Sequence, residues 1–166
     1  ALAGLNRYLE RRPDDLQALL GRAFVWERFL YFADALADYQ RAVAAHPDHE
    51  RARLKLAETL LLVGPPQEAL AAFQWVADRR PRDPAVRLGL ARSHRQLGEA
   101  VKARALVDEL LADDPDNGEA LWERGQLALE HGRLTKALAD AEKAVALSPA
   151  EEVGYLVRGR VRLERG

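Results

Sequence analysis

Few residues in this chain have types and spacings suited to chemistry. His46 and His49 flank Pro47 and Asp48, and a His-x-x-His pair beside a carboxylate can hold a metal ion. A stable site needs further ligands, and no second ligand cluster supports this one, so no metal is expected. His94 and His131 stand alone. Ser93 and Ser148 are the two serines, and neither sits in a motif that would expose a nucleophile on a sharp turn. Cysteine is absent, which removes disulfides, thiolate ligands and thiol nucleophiles together. The glycines are spread at a regular spacing rather than gathered into a phosphate-cradling loop. Carboxylates are plentiful but read as helix caps and solvated faces, and nothing pairs an acid with a base over a pocket. No cofactor is implied and no catalysis is expected. What remains is binding.

The elements that would present a binding surface are written in the prolines. Pro13, Pro47, Pro81, Pro115 and Pro149 stand 34 residues apart. A fixed period of that size marks one supersecondary unit copied along the chain. With the proline counted as position thirty-two, position twenty is Ala35, Ala69, Ala103 and Ala137, and position eight is Ala23, Ala57, Ala91, Gly125 and Gly159. Position fifteen is Leu30, Gly64, Gly98, Gly132 and Gly166. Apolar residues recur at helical spacing on both sides of that glycine. A glycine just past a helix end supplies a left-handed backbone. A proline ends a helix because it cannot continue the hydrogen-bond ladder. The unit is therefore an antiparallel hairpin of a helix A and a helix B, brought close by one small residue on each.

Local signals mark the boundaries. Asp83-Pro84 reads as an N-cap followed by proline in the first turn, and Pro65-Pro66 with Glu68 opens a helix B. Asp48, Asp116 and Asn117 fall where later A helices begin, near the positive end of the helix dipole. Leu30 takes the place of the turn glycine inside the aromatic run Phe29, Tyr31 and Phe32, so a reshaped turn or a longer helix A is expected there. Ten helices are expected. Residues 1–12 form a helix B without its partner, hairpins follow from about 14 to 149, and residues 151–165 form a helix A without its partner.

This arrangement resembles the tetratricopeptide repeat. Leu19, Ala23, Trp26, Ala35, Tyr39, Ala42 and Pro47 fit the family pattern, as do Leu121, Arg124-Gly125, Gly132, Ala137, Ala144 and Pro149. The resemblance covers the whole chain. It implies an all-α, right-handed superhelical solenoid of antiparallel helix hairpins. The array would divide into a half repeat at 1–13, full repeats at 14–47, 48–81, 82–115 and 116–149, and a half repeat at 150–166. Both ends would expose apolar surface, so the chain is expected to be a piece of a longer protein, with end-to-end self-association as the alternative use of its ends.

The resemblance also places ligand contacts on helix A, which lines the concave face. Position five reads Leu20, Leu54, Leu88, Trp122 and Leu156. Position nine supplies Phe24, Arg92, Gln126 and Arg160, position twelve supplies Leu61 and Arg95, and Arg51 lies at position two. Together they would form a groove with apolar pockets and a basic patch at Arg51, Arg92 and Arg95. Such a groove suits a protein or peptide with apolar anchors and acidic side chains. Phe24 and Trp122 would be its aromatic anchors. The lysine and asparagine positions of the family's two-carboxylate clamp are not matched in any register, so that mode of tail recognition is not expected. A spacer or oligomerisation arm, or the accessory domain of an enzyme encoded elsewhere in the protein, are the rival readings.

One pairing follows from comparing the units with each other. Position seven reads Arg22, Leu56, Leu90 and Arg124, while position twenty-three reads Asp38, Ala72, Leu106 and Asp140. Arginine goes with aspartate and leucine with an apolar residue, so Arg22 should meet Asp38 and Arg124 should meet Asp140 across their hairpins. The whole-chain charge sets a last bound. A net charge of −1 with both signs interspersed lacks the basic excess of a nucleic-acid binder. No apolar run reaches the roughly 20 residues that span a bilayer. The chain carries arginine well in excess of its four lysines and has no isoleucine, a bias that points toward a GC-rich bacterial source but names no compartment.

Overall fold

The computed structural model describes residues 2–147, together with Gly159 and Leu163. Among the described residues there are nine helices and no strand. They are α1 (Leu2–Arg11), α2 (Leu16–Arg28), α3 (Phe32–Ala45), α4 (Glu50–Val63), α5 (Pro66–Ala77), α6 (Pro84–Gln96), α7 (Ala100–Asp113), α8 (Gly118–Glu130) and α9 (Leu134–Leu147). The helix expected over 151–165 lies outside the described residues apart from Gly159 and Leu163, both helical. Contacts divide the chain into two units, Ala1–Arg82 and Asp83–Gly166. In the first unit α2 pairs with α3 and α4 with α5, α3 packs on α4, and α1 packs on α2. In the second unit α6 pairs with α7, α8 with α9, and α8 packs on both α6 and α7.

The core is built from small side chains at the points of closest approach. Ala23, Ala57 and Ala91 on the A helices are fully buried, as are Ala35, Ala69, Ala103 and Ala137 on the B helices. With no side chain beyond Cβ, these positions let two helix backbones pack near the short end of the usual interaxial range. Larger groups fill the space on either side, chiefly Leu19, Tyr39, Leu60, Phe73, Val107 and Leu121. Burying each such side chain contributes about 1.5–3 kcal/mol, so the hairpins are held by interlocked packing rather than by propensity alone.

Side chains at the start of the A helices satisfy N–H groups that have no partner within the helix. Asp83 accepts from Ala85 and Val86 ahead of Pro84, and Asn117 accepts from Ala120 at 2.9 Å. Asp15 does the same for α2, accepting from Ala18 at 2.9 Å. At α4 the cap is a histidine. His49, the residue after Asp48, is the N-cap, and its Nδ1 accepts from the Ala52 N–H at 3.1 Å. His46 donates from Nε2 to the Asp14 carbonyl at 3.0 Å. Both histidines of the His-x-x-His pair are thus occupied in joining turns to helices. Among the described residues no group of three or more His, Asp or Glu converges in a way that could hold a metal.

The turns within hairpins correct two expectations. Leu30 neither lengthens α2 nor reshapes the turn. It adopts φ 63°, beside 76° at Gly98 and 67° at Gly132. The hydrogen bonds match as well. Leu30 N–H reaches the Glu27 carbonyl and Tyr31 N–H reaches Trp26, as Gly98 reaches Arg95 with Glu99 to His94, and Gly132 reaches Leu129 with Arg133 to Ala128. These are the paired bonds of a Schellman helix end. Gly64 departs from this plan, with φ −108° and ψ −177°. Pro65 follows it, has no N–H to give to the second bond, and forces the preceding residue into extended backbone.

Candidate functional site

The two predicted clamps are present. Arg22 donates from Nε and Nη2 to the two oxygens of Asp38 at 2.9 and 2.6 Å, and Arg124 donates to Asp140 at 2.8 and 2.7 Å. Both are two-pronged pairs in which the guanidinium fork matches the carboxylate. These hydrogen bonds hold each arginine above its ordinary basicity. Asp38 and Asp140 are themselves buried, so the clamps close the inside of a hairpin and leave no charge for a ligand.

In the first unit the A helices α2 and α4 carry Phe24, Arg51, Leu54 and Leu61. Phe24 is 58% exposed in the middle of α2. Arg51 is exposed at the start of α4, while Leu54 and Leu61 are half-buried along it. Glu27, one turn beyond Phe24, accepts from Thr59 Oγ1 at 3.3 Å and so links α2 to α4. Tyr39 sits behind this contact. Burial, reinforced by the Glu27 and Glu58 carboxylates, raises its phenol well above the usual range and keeps it neutral. A second apolar set is exposed at the hairpin turns of this unit, comprising Phe29, Leu30 and Tyr31 after α2 and Leu62 and Val63 at the end of α4.

In the second unit the A helices α6 and α8 carry Leu88, Arg92, Arg95, Trp122 and Gln126. Leu88 is buried in the core cluster around Ala91, Val107 and Leu121. Gln126 is also buried, and Trp122 is half-buried against the cluster of Ala128, Leu129, Ala137 and Ala141. The two arginines are engaged by carboxylates of α8. Arg92 donates from Nη2 to Glu119 at 3.0 Å, brings Nε to 3.5 Å from Glu123, and lies over the Trp122 ring at 5.7 Å. Arg95 donates from Nε to Glu123 and from Nη1 to Glu130 at 2.8 Å. Burial alone would lower Arg95, but Glu123 and Glu130 outweigh it and raise its basicity. Glu123 is fully buried between the arginines. Leu156 and Arg160 lie outside the described residues.

Sequence reasoning misses the carboxylates Glu119, Glu123 and Glu130 as partners of the arginines. They lie 27 to 35 residues away, on the A helix of the next repeat. A reading that aligns positions within one repeat cannot see such a contact. The available signal is an arginine at position twelve of one repeat followed by glutamates at positions six and thirteen of the next. Trp75, on helix α5, has the guanidinium carbons of Arg53 and Arg79 at 4.3 and 3.5 Å from its ring centroid. Burial is the main cause that lowers Arg53 in basicity, and the neighbouring Arg79 adds to it. No helix among the described residues is long and apolar enough to cross a membrane.

Comparison with known proteins agrees with this architecture. Two family models described as tetratricopeptide repeat match the chain, one at residues 60–123 and one at 32–64 and 102–152. Cellulose synthase operon protein C of Pseudomonas fluorescens is 32% identical over 131 residues, which are 74% of this chain and 10% of that protein. This chain spans 19% or less of the length of that relative and of a second curated one from Aquifex aeolicus. A solved tetratricopeptide repeat protein from Parabacteroides merdae superposes with a TM-score of 0.88 at 21% identity, over 99% of this chain and 64% of that one. YrrB, described as a tetratricopeptide repeat protein with an unusual peptide-binding site, superposes with a TM-score of 0.74 at 19% identity, over 95% of this chain and 81% of that one.

Proposed function

Because the chain belongs to the tetratricopeptide repeat family, whose arrays are protein-interaction scaffolds, we propose that it holds a peptide segment of a partner protein against its A helices. The observation that carries this reading is Phe24, a large aromatic side chain 58% exposed at mid-helix, where packing makes no use of it. Leu54 and Leu61 extend the apolar surface on the neighbouring A helix, and Arg51 adds an exposed cation there. The basic character expected of the groove narrows to Arg51, because Arg92 and Arg95 already face carboxylates. The partner's defining feature on this reading is an apolar anchor for Phe24, with an acidic residue as the lesser contribution. That YrrB is described as binding a peptide supports the idea that this fold can accommodate one.

A selection of short peptides from a displayed library on the wild-type chain, followed by affinity measurement, tests the proposal. Phe24→Ala should weaken the selected peptides by at least about tenfold, the size typical of losing an aromatic anchor. Arg51→Glu should weaken acidic ones by a smaller factor. Unchanged affinity in Phe24→Ala would remove the A-helix face from consideration.

A further inference from the structure

The second unit contains a groove that none of the proposed A-helix contact residues line, although the clamp of Arg124 and Asp140 lies in its wall. The start of α7, the end of α8 and the start of α9 surround a volume of about 440 Å³. That is within the size range of ligand-binding clefts. Its walls carry Arg104, Arg124, His131, Arg133 and Lys136, against the single lining carboxylate of Asp140. Leu127 and Ala128 supply apolar surface, and Val101 stands 86% exposed.

Internal pairing uses only part of this charge. Arg124 is committed to Asp140, and Arg104 gives its Nε to Asp108 at 3.2 Å. Arg133 and Lys136 make no ion pair with any described residue, and both are exposed. They also bracket the first turn of α9, where the helix dipole disfavours cations and where no acidic residue compensates. The repeat does not require this arrangement. Two repeats earlier, the positions of Arg104, Arg124, His131, Arg133 and Lys136 are held by Leu36, Leu56, Val63, Pro65 and Glu68. The hairpin thus forms with apolar or acidic residues at every one of these places. Neither packing nor local electrostatics accounts for Arg133 and Lys136, whereas a carboxylate-bearing ligand would.

We propose that this groove is a second contact surface, on the side of the B helices α7 and α9, that takes an acidic stretch of a partner protein. Carboxylates of the partner meet Arg133, Lys136 and the unused terminal nitrogens of Arg104, and an apolar side chain lies against Leu127, Ala128 and Val101. Arg133, Lys136 and the outer nitrogens of Arg104 are the complementary charge such a stretch needs. A protein rather than a nucleic acid is the better match, because the chain as a whole has a net charge of −1 and no basic stripe.

Fluorescence anisotropy with a labelled peptide of alternating glutamate and leucine, added to the 166-residue chain, tests this directly. The double variant Arg133→Glu, Lys136→Glu should weaken binding by roughly tenfold or more, and binding should weaken as salt is raised. Val101→Glu, which alters only an exposed rim position, should weaken it as well. Phe24→Ala should leave it unchanged, which separates this surface from the A-helix face. Equal binding of the peptide with lysine in place of glutamate would overturn the proposal. So would unchanged affinity in both the double variant and Val101→Glu, or tighter binding of a single-stranded oligonucleotide than of the acidic peptide.

Discussion

The hairpins α2–α3 and α8–α9 share one plan and differ in finish. Each is clamped by an arginine and an aspartate 16 residues apart, and each turns through a left-handed residue with the same pair of hydrogen bonds. In the first hairpin that residue is Leu30, with Phe29 and Tyr31 exposed around it. In the second it is Gly132, flanked by His131 and Arg133. A leucine held in left-handed backbone costs roughly 1–2 kcal/mol. That it is held there shows the turn geometry to be imposed by the helices on either side. The turn side chains are consequently free to diverge, and one hairpin edge has become apolar while the other has become cationic.

The clamps themselves offer the largest effect. Asp38→Ala would leave Arg22, only 21% exposed, without its two-pronged acceptor. A cost of about 3 kcal/mol is expected, the lower end for an uncompensated buried charge. Asp140→Ala should cost less, about 2 kcal/mol, because Arg124 is 34% exposed and keeps the Asp108 carboxylate 3.7 Å away as a second counter-charge. The double variant Arg22→Leu, Asp38→Ala reproduces the Leu56 and Ala72 pairing of α4–α5 and should recover most of the loss. Urea unfolding of the three variants checks the order. A double variant no more stable than Asp38→Ala would mean that the clamp does more than fill and neutralise the hairpin interior.

The turns come next. Leu30→Gly should stabilise the chain by about 0.5–1 kcal/mol, since relief of the left-handed strain exceeds the added freedom of glycine in the unfolded chain. Gly132→Leu should destabilise by a similar amount. Thermal midpoints of the two variants should move in opposite directions, and a shift of both in one direction would contradict the equivalence of the turns.

The same residues mark how far the fold is legible in the amino-acid sequence. The prolines and small residues reveal the hairpins because a 34-residue period acts through packing that repeats with it. The clamps are legible because arginine and aspartate vary together from repeat to repeat. The conformation of Leu30 is not, since its residue type argues against left-handed backbone and only the surrounding hydrogen bonds impose it. The cap of α4 goes to His49 because its ring nitrogen reaches the Ala52 N–H as a carboxylate would. The role of Glu123 is hidden because its partners Arg92 and Arg95 belong to another repeat, and burial at that position cannot be seen along the chain.

The smallest effect concerns one pair of positions on which the hairpins differ in kind. In α2–α3 the residue one turn before the helix end and the residue just after the turn are Trp26 and Tyr31, packed edge to face with centroids 5.7 Å apart. In α6–α7 the same two positions hold His94 and Glu99, with His94 Nδ1 donating to the carboxylate at 2.6 Å. That hydrogen bond, with a second from Lys102, holds Glu99 below its ordinary carboxyl range. A depressed acid contributes stability above its unfolded value and loses it as pH falls through the folded one. The urea midpoint of the wild type should therefore exceed that of Glu99→Gln at neutral pH, and the gap should close as the solution is acidified through the carboxylate range. Over the same range the amide protection of Tyr31, corrected for intrinsic exchange, should hold steady while that of Glu99 declines. A gap that stays constant in acid would show the His94–Glu99 contact to be packing alone, and would make the two turns alike in substance as well as in shape.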